Sequence, residues 1–181
     1  MINFKANYIQ NIPIKTLDSD NTYKSQDVNF VEIDINNPKD VTAINQVADI
    51  WGEKSFADNI VFDIEQNSKD ISAQGNLRVF ALTKQNSDFL NLDENQILAL
   101  VDVEKTPSDD LFINYLQVAP QLVYCLRKLP IKRCGSAVLD CLKNLFSNKT
   151  ITLNSRSRNF FLNNGFIEVT KNHFVWNKFL K

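Results

Sequence analysis

Two hydrophobic periods take turns along the chain, and their order predicts a mixed α/β domain. Residues 12–17 and 28–33 are short runs, apolar at partly alternating positions, separated by the turn Asp18-Ser19-Asp20-Asn21, and read as strands. A helix follows. Asn36 or Asn37 can cap it, Pro38 suits its first position, and Asp40 favours its positive end. Val41, Ile44, Val47, Ala48 and Trp51 then recur at helical spacing, and Gly52 closes the run. Residues 56–64 fit a second helix or a strand. Three strands follow at 77–82, 97–103 and 111–118, the last stopped by Pro120. A helix over about 135–146 presents Val138, Cys141, Leu142 and Leu145 on one face. A strand at 151–153, a short helix at 158–164 closed by Gly165, and a hairpin of 167–169 with 173–176 complete the pattern. The expectation is one α/β domain over 1–181, with N-terminal strands in 1–36 and a core in 37–181. Its mixed central sheet has about six to seven strands, flanked by about four helices.

Composition narrows the class. With 44% hydrophobic and 23% charged residues, the chain resembles an ordinary soluble globular protein and not a disordered one. A net charge of −1 provides no global field for nucleic acid or anionic membrane, so both are unexpected as partners. The apolar stretch 111–126 is broken by Asn114, Gln117, Pro120 and Gln121, too soon for a membrane span. Three cysteines without a CxxC pair, one histidine and no apolar leader in MINFKANYIQ point to a reducing cytoplasm and no zinc site. Only four glycines occur against 23 asparagines, so each glycine calls for its own reason.

Chemistry concentrates between residues 115 and 166. A buried strand runs into the basic turn Lys132-Arg133-Cys134-Gly135-Ser136-Ala137, which opens a helix. Unpaired N–H groups at such a start form an anion site, suited to pyrophosphate. Gly135 admits close approach to the backbone, Ala137 keeps the start uncrowded, and Arg127, Lys128, Lys132 and Arg133 add positive charge. No GxxxxGK[ST] or GxGxxG pattern is present.

These residues resemble two signatures of the GCN5-related N-acetyltransferase (GNAT) family. Lys132, Gly135 and Ala137 match the cofactor signature, with Lys in place of the usual Gln or Arg. Asn154, Ser157, Phe160, Phe161, Gly165 and Phe166 match the second, and the resemblance covers residues 37 to 181. It implies acetyl-CoA, or another short acyl-CoA, as cofactor. The backbone of Arg133, Cys134, Gly135, Ser136 and Ala137 would cradle the pyrophosphate, with Lys132 beside it. Leu116, Gln117 and Val118 would bond the pantetheine amides in the manner of strand addition. Asn154 would touch the same arm, and Phe160 and Phe161 would lie beside it. An amine would attack the thioester, a backbone N–H near Val118 would stabilise the oxyanion, and a carboxylate would take the ammonium proton.

Two departures stand out. The family's frequent acid is a Tyr at the position of Phe161, and a phenyl ring donates no proton. Twelve positions separate Pro120 from Lys132, more than the few that are common. Glu104 and Tyr115 are the candidate base and acid; each also reads as an ordinary residue, an exposed strand-end carboxylate and a half-buried ring. Phe160 and Phe161 read as core aromatics, Cys134 as a small packed side chain, and His173 as a hairpin residue. The acceptor, a small-molecule, peptide or protein amine, is expected near Trp51, Phe56 and Asp58, where the acidic residues point to a cation. The competing expectation is a catalytically weak or inert acyl-CoA-binding or interaction module.

Overall fold

The computed structural model describes residues 6–53, 55–70, 75–86, 91–123 and 128–179. Strands β1 (Asn7–Leu17) and β2 (Tyr23–Ile33) form an antiparallel hairpin from Asn7↔Glu32 to Leu17↔Tyr23. It is longer than the hydrophobic pattern predicts. The inner half of β2 buries Val28, Phe30 and Val31, but Lys24, Ser25, Gln26 and Asp27 are exposed. A strand with no buried face leaves no alternation to read.

Helix α1 (Pro38–Trp51) starts where Asn37 accepts the Lys39 amide at 3.1 Å. Asp40 is fully buried under this turn, accepting the Asp34 amide at 3.0 Å and the Asn37 side-chain amide at 3.2 Å. Burial pushes its pKa up to about 6, against the opposing effect of the Asp34 amide. Gly52 ends α1 at φ 70°, its N–H bonded to Ala48. The ambiguous segment is a helix, α2 (Ala57–Lys69), which buries Ala57, Ile60, Ile64 and Asn67.

The remaining elements are β3 (Leu77–Thr83), β4 (Ile97–Lys105), β5 (Leu111–Val118), β6 (Ile131–Lys132), α3 (Cys134–Leu145), β7 (Ile151–Asn154), α4 (Arg158–Asn163), β8 (Ile167–Thr170) and β9 (His173–Trp176). Together the strands form one nine-stranded sheet, ordered β6-β1-β2-β3-β4-β5-β7-β9-β8. The expected six to seven strands become nine because the N-terminal hairpin joins the sheet and two-residue β6 pairs with its edge. So short a strand has no hydrophobic period. Strands β3 and β4 form the floor of the core, where Val79, Phe80, Leu82, Leu100 and Val101 are fully buried. Each such side chain contributes roughly 1.5–3 kcal/mol by leaving water. Phe80 stacks on Phe30 at 5.2 Å and meets the edge of Phe146 at 6.2 Å. Among the described residues β5 and β7 are the one parallel pair. A parallel pair needs a crossover, and α3 supplies it.

Candidate functional site

The parallel pair is short. It runs from Leu111↔Ile151 to Ile113↔Leu153 and stops, while β5 continues to Val118. From Asn114 onward β5 therefore has β4 on one side and, among the described residues, no strand on the other. The Ala119 amide donates to Leu98 on the β4 side at 2.9 Å. By alternation Gln117 also faces β4, and the main-chain groups of Leu116 and Val118 face the opening. The side chain of Gln117 folds back along this edge. Its Nε2 donates to the Val118 carbonyl at 2.5 Å, and its Oε1 accepts the Phe56 amide at 3.3 Å, tying β5 to the start of α2.

The opening leads to the first turn of α3. Arg133 precedes it in the left-handed conformation, φ 73° and ψ 9°. The first helical bond runs from the Ala137 amide to the Arg133 carbonyl at 2.8 Å, so the amides of Cys134, Gly135 and Ser136 precede any helical partner. This turn is braced from the N-terminal hairpin. Lys132 in β6 pairs with Lys15 of β1, its Nζ lies 4.0 Å from the centre of the Tyr23 ring, and the Leu17 amide donates to Pro130. Lys128 donates to the Asn21 carbonyl at 3.3 Å, whereas Arg127 lies outside the described residues. Cys134 is buried, and burial pushes its thiol up to about 11 despite the opposing charge of Lys84; it is packed, not reactive.

Gly135 has a steric reason beside the one its sequence position suggests. Its φ is not positive, and a Cβ there would lie 3.0 Å from Phe160 Cζ and 3.5 Å from Val118 Cγ2. The missing side chain makes room for the Phe160 ring. Phe160 meets Phe161 edge-on at 4.9 Å, and Phe161 in turn packs on Phe166 at 5.6 Å and Phe174 at 5.5 Å. Gly165 does have the left-handed φ, 77°, that favours glycine.

Three clefts follow one another along this path. A cleft of about 580 Å³ runs under α3, lined by Leu116, Val118, Lys132, Gly135, Phe160 and Phe161 among others. A second, of about 570 Å³, occupies the strand opening and shares Leu116 and Phe161 with the first. A third, of about 520 Å³, lies against α2 and shares Asn114, Tyr115 and Asn154 with the second. Tyr115, half-buried, packs its ring on Phe56 at 5.5 Å where the clefts join. Asn154 ends β7, and its Oδ1 lies 2.9 Å from Nδ1 of His173 across the β7–β9 pair. Glu104 is exposed on the rim of the third cleft. Phe56 lines the first two clefts, Trp51 is buried in the core, and exposed Asp58 lines none of the three.

The sequence reading missed the most unusual group in this region. Asp102 is fully buried in β4. Its Oδ1 accepts the Tyr115 amide at 2.7 Å, and its Oδ2 has no partner among the described residues. Burial is the larger cause, and the neighbouring Asp63 the next, that pushes Asp102 up to about 8; the Tyr115 amide acts in the other direction. The signal was one carboxylate inside the apolar run Ile-Leu-Ala-Leu-Val-Asp-Val of residues 97–103. Among the described residues no cluster of His, Cys, Asp and Glu forms a metal site, and no helix is long and apolar enough to cross a membrane.

The sequence matches no protein-family model and no curated protein. Its fold does match solved structures. A GNAT-family protein from Desulfovibrio desulfuricans superposes with a TM-score of 0.52 at 13% identity, over 82% of this chain and 94% of that one. A mutant of the toxin AtaT, bound to the C-terminus of the antitoxin AtaR and to acetyl-CoA, gives 0.49 at 12% identity over 84% and 94% of the two chains. The chain thus has the GNAT fold.

Proposed function

We propose that the chain is an acyl-CoA-dependent N-acyltransferase that uses acetyl-CoA, or another short acyl-CoA, to acylate a primary amine in the cytoplasm. The observation that carries this is the opened β5/β7 pair, whose free main-chain edge at Leu116 and Val118 leads to the unpaired amides of α3. A polyamide arm ending in pyrophosphate fits that order of groups: extended amide partners first, an anion site second. The fit has a limit at Val118, whose carbonyl already accepts from Gln117, so its amide is the better placed of its two groups.

When bound, the acyl-CoA supplies an acyl group activated as a thioester. The chain's own residues do the rest. The amides of Cys134, Gly135 and Ser136 hold the phosphates, with Arg133, Lys132 and the start of α3 adding positive potential. Phe160 and Phe161 wall the arm, and Asn154 stands where the strand opening meets the acidic cleft. The Val118 amide is assigned the oxyanion. Asp102, with its pKa near 8, keeps its proton at neutral pH and lines none of the three clefts, so acceptance of the ammonium proton is assigned to Glu104, exposed on the rim. Tyr115 is the nearest hydroxyl-bearing ring to that junction among the residues lining it, and is assigned proton donation to the departing thiolate.

Heat denaturation with and without millimolar acetyl-CoA tests the reading, because a ligand that binds the folded state alone must raise the midpoint. An unchanged midpoint sinks it. One observation favours a second reading, a binding module without turnover: Phe161 is 6% exposed, packed on three aromatic rings, and has no proton to give. Thiol release over a panel of amines separates the two, since turnover with any acceptor removes the inert module.

A further inference from the structure

We propose that Gln117 is a positioning residue for acyl transfer. Its one carboxamide fixes the strand edge offered to the cofactor arm and, at the other end, the start of α2 that walls the site. The inference rests on the acyltransferase reading and adds a residue that acts through Phe56 and Tyr115.

Gln117 is 9% exposed, and both of its polar side-chain atoms are used. Nε2 donates to the Val118 carbonyl at 2.5 Å, and Oε1 accepts the Phe56 amide at 3.3 Å, 61 positions away in sequence. These partners fix which way the carboxamide points. A carbonyl only accepts and an amide only donates, so a flipped group would lose both bonds. The Val118 carbonyl belongs to the edge of β5 that extends past its pairing with β7. With that carbonyl engaged, the Val118 amide is left to face the acyl group.

At its other end Gln117 replaces a cap. Phe56 occupies the N-cap position of α2, and a phenyl ring has no oxygen to accept the first amides of a helix. The Ser55 hydroxyl accepts the Ala57 amide at 3.3 Å, and Gln117 accepts that of Phe56. Burial does not hold Phe56 either, because it is 52% exposed. Its ring rests on Tyr115 at 5.5 Å and lines both the α3 cleft and the strand opening. Gln117 and Tyr115 are two apart on β5 and share a face, so one short stretch of strand holds Phe56 by backbone and by ring. A misplacement of about 1 Å at a reacting group costs roughly 10² in rate, which makes a wall fixed at both ends worth having.

Three variants test this in the full chain. Gln117→Met fills the space without either bond. Gln117→Glu, once ionised, keeps an acceptor for the Phe56 amide but has no donor for Val118. Phe56→Ala removes an exposed ring alone. Hydrogen exchange of the Phe56 amide is expected to be about three-fold or more faster in Gln117→Met than in the parent, and no faster in Gln117→Glu. In thiol release from acetyl-CoA with the best amine of the panel, Gln117→Met and Phe56→Ala are each expected to lower kcat about ten-fold. The KM for acetyl-CoA is expected to stay within about two-fold of the parent. Since one residue acts through the other, the double variant is expected to lose no more than the worse single variant. An unchanged Phe56 exchange rate in Gln117→Met overturns the proposal. So do losses that multiply in the double variant, or a loss that falls on the KM for acetyl-CoA and spares kcat. The acyltransferase reading fails separately, by absence of acetyl-CoA binding or of turnover, while the Phe56 exchange rates decide this inference in either case.

Discussion

Asp102 and Tyr115 are register partners that a side chain also joins: the Tyr115 amide donates to the carboxylate of Asp102, 2.7 Å away. The register slips at this point, from Asp102↔Tyr115 to Val103↔Ile113, so Asn114 is the extra residue of a β-bulge. The bulge lies at the position where β5 loses its other neighbour, β7, after Ile113. A carboxylate buried in the sheet thus braces the amide that borders the bulge. The same bulge brings Asn114 and Tyr115 to the junction of the clefts. One local irregularity links the fold's opening to its buried acid.

That acid sets the pH dependence of stability. With a folded pKa near 8 against an unfolded value near 3.8, Asp102 holds a proton in the folded chain that the unfolded chain has released over this window. Stability from this group is fully present below about pH 4 and declines as pH rises to about 8. Asp40, raised to about 6, adds a decline in the same direction over the lower part of the window. Asp102→Asn keeps an acceptor for the Tyr115 amide and gives Asp63 a donor. The expected outcome is a variant more stable than the parent at pH 8.5, by about 1 kcal/mol or more, with a flatter profile from pH 5 to 8.5. Urea midpoints across that range check it; a variant less stable at pH 8.5 contradicts the assignment.

Gly135 makes a steric prediction. A Cβ at this position sits 3.0 Å from the Phe160 ring, too close without movement of that ring. Gly135→Ala is expected to destabilise by about 1–3 kcal/mol through overpacking. Phe160→Leu, which shortens the obstructing side chain, is expected to recover part of that loss in the double variant. A double-mutant cycle on denaturant midpoints reads the coupling. Additive effects would mean that Gly135 is required for something other than the Phe160 contact.

What the sequence shows of this molecule depends on whether a residue's environment repeats. The helices α1 and α3 bury a regular face and the strands β3 and β4 are buried on both, so a helical period or an unbroken apolar run is visible in the order of residues. The outer ends of the hairpin and β6 bury little and leave no period, so the hairpin is longer and the sheet wider than the pattern predicts. In the site, the spacing of Lys132, Gly135 and Ala137 places the α3 turn, but one reason for Gly135, the contact with Phe160, lies 25 positions away. Asp102 and Gln117 act through bulge geometry and a side chain folded along its own strand, and neither has a periodic trace. Local order was legible; contacts made by departures from it were not.

The left-handed residue before α3 separates backbone geometry from charge. Arg133 has φ 73°, a conformation that costs a non-glycine residue about 1 kcal/mol, and it aims the amides that follow. Arg133→Gly relieves that cost while adding glycine's own entropy in the unfolded chain. Its stability is therefore expected to stay within about 1 kcal/mol of the parent. Arg133→Val, β-branched in the same conformation, is expected to fall by about 1–2 kcal/mol. Acetyl-CoA affinity should drop in Arg133→Gly through the lost guanidinium, and the drop should shrink at high salt. A salt-independent loss would place the effect in the backbone.

Phe161 supplies the most direct test of chemistry. Its ring is held by Phe160, Phe166 and Phe174, and it also lines both the α3 cleft and the strand opening. A hydroxyl added to that ring has cleft space to enter on one side, so Phe161→Tyr is expected to fold with a loss of no more than about 1 kcal/mol. In the acyltransferase reading, the departing thiolate now depends on a more distant donor or on water. A positioned hydroxyl contributes through general acid catalysis, which is typically worth 10²–10⁴-fold when fully aligned. Since the new group is unsupported by evolved partners, a gain of roughly ten-fold in thiol release is expected, in kcat and not in the KM for acetyl-CoA. If Phe161→Tyr folds, binds acetyl-CoA as the parent does and turns over no faster, protonation of the thiolate at this position does not limit the parent. A protein that turns over with no amine before the substitution and with one after it would identify Phe161 as the residue that holds the fold in its binding-only form.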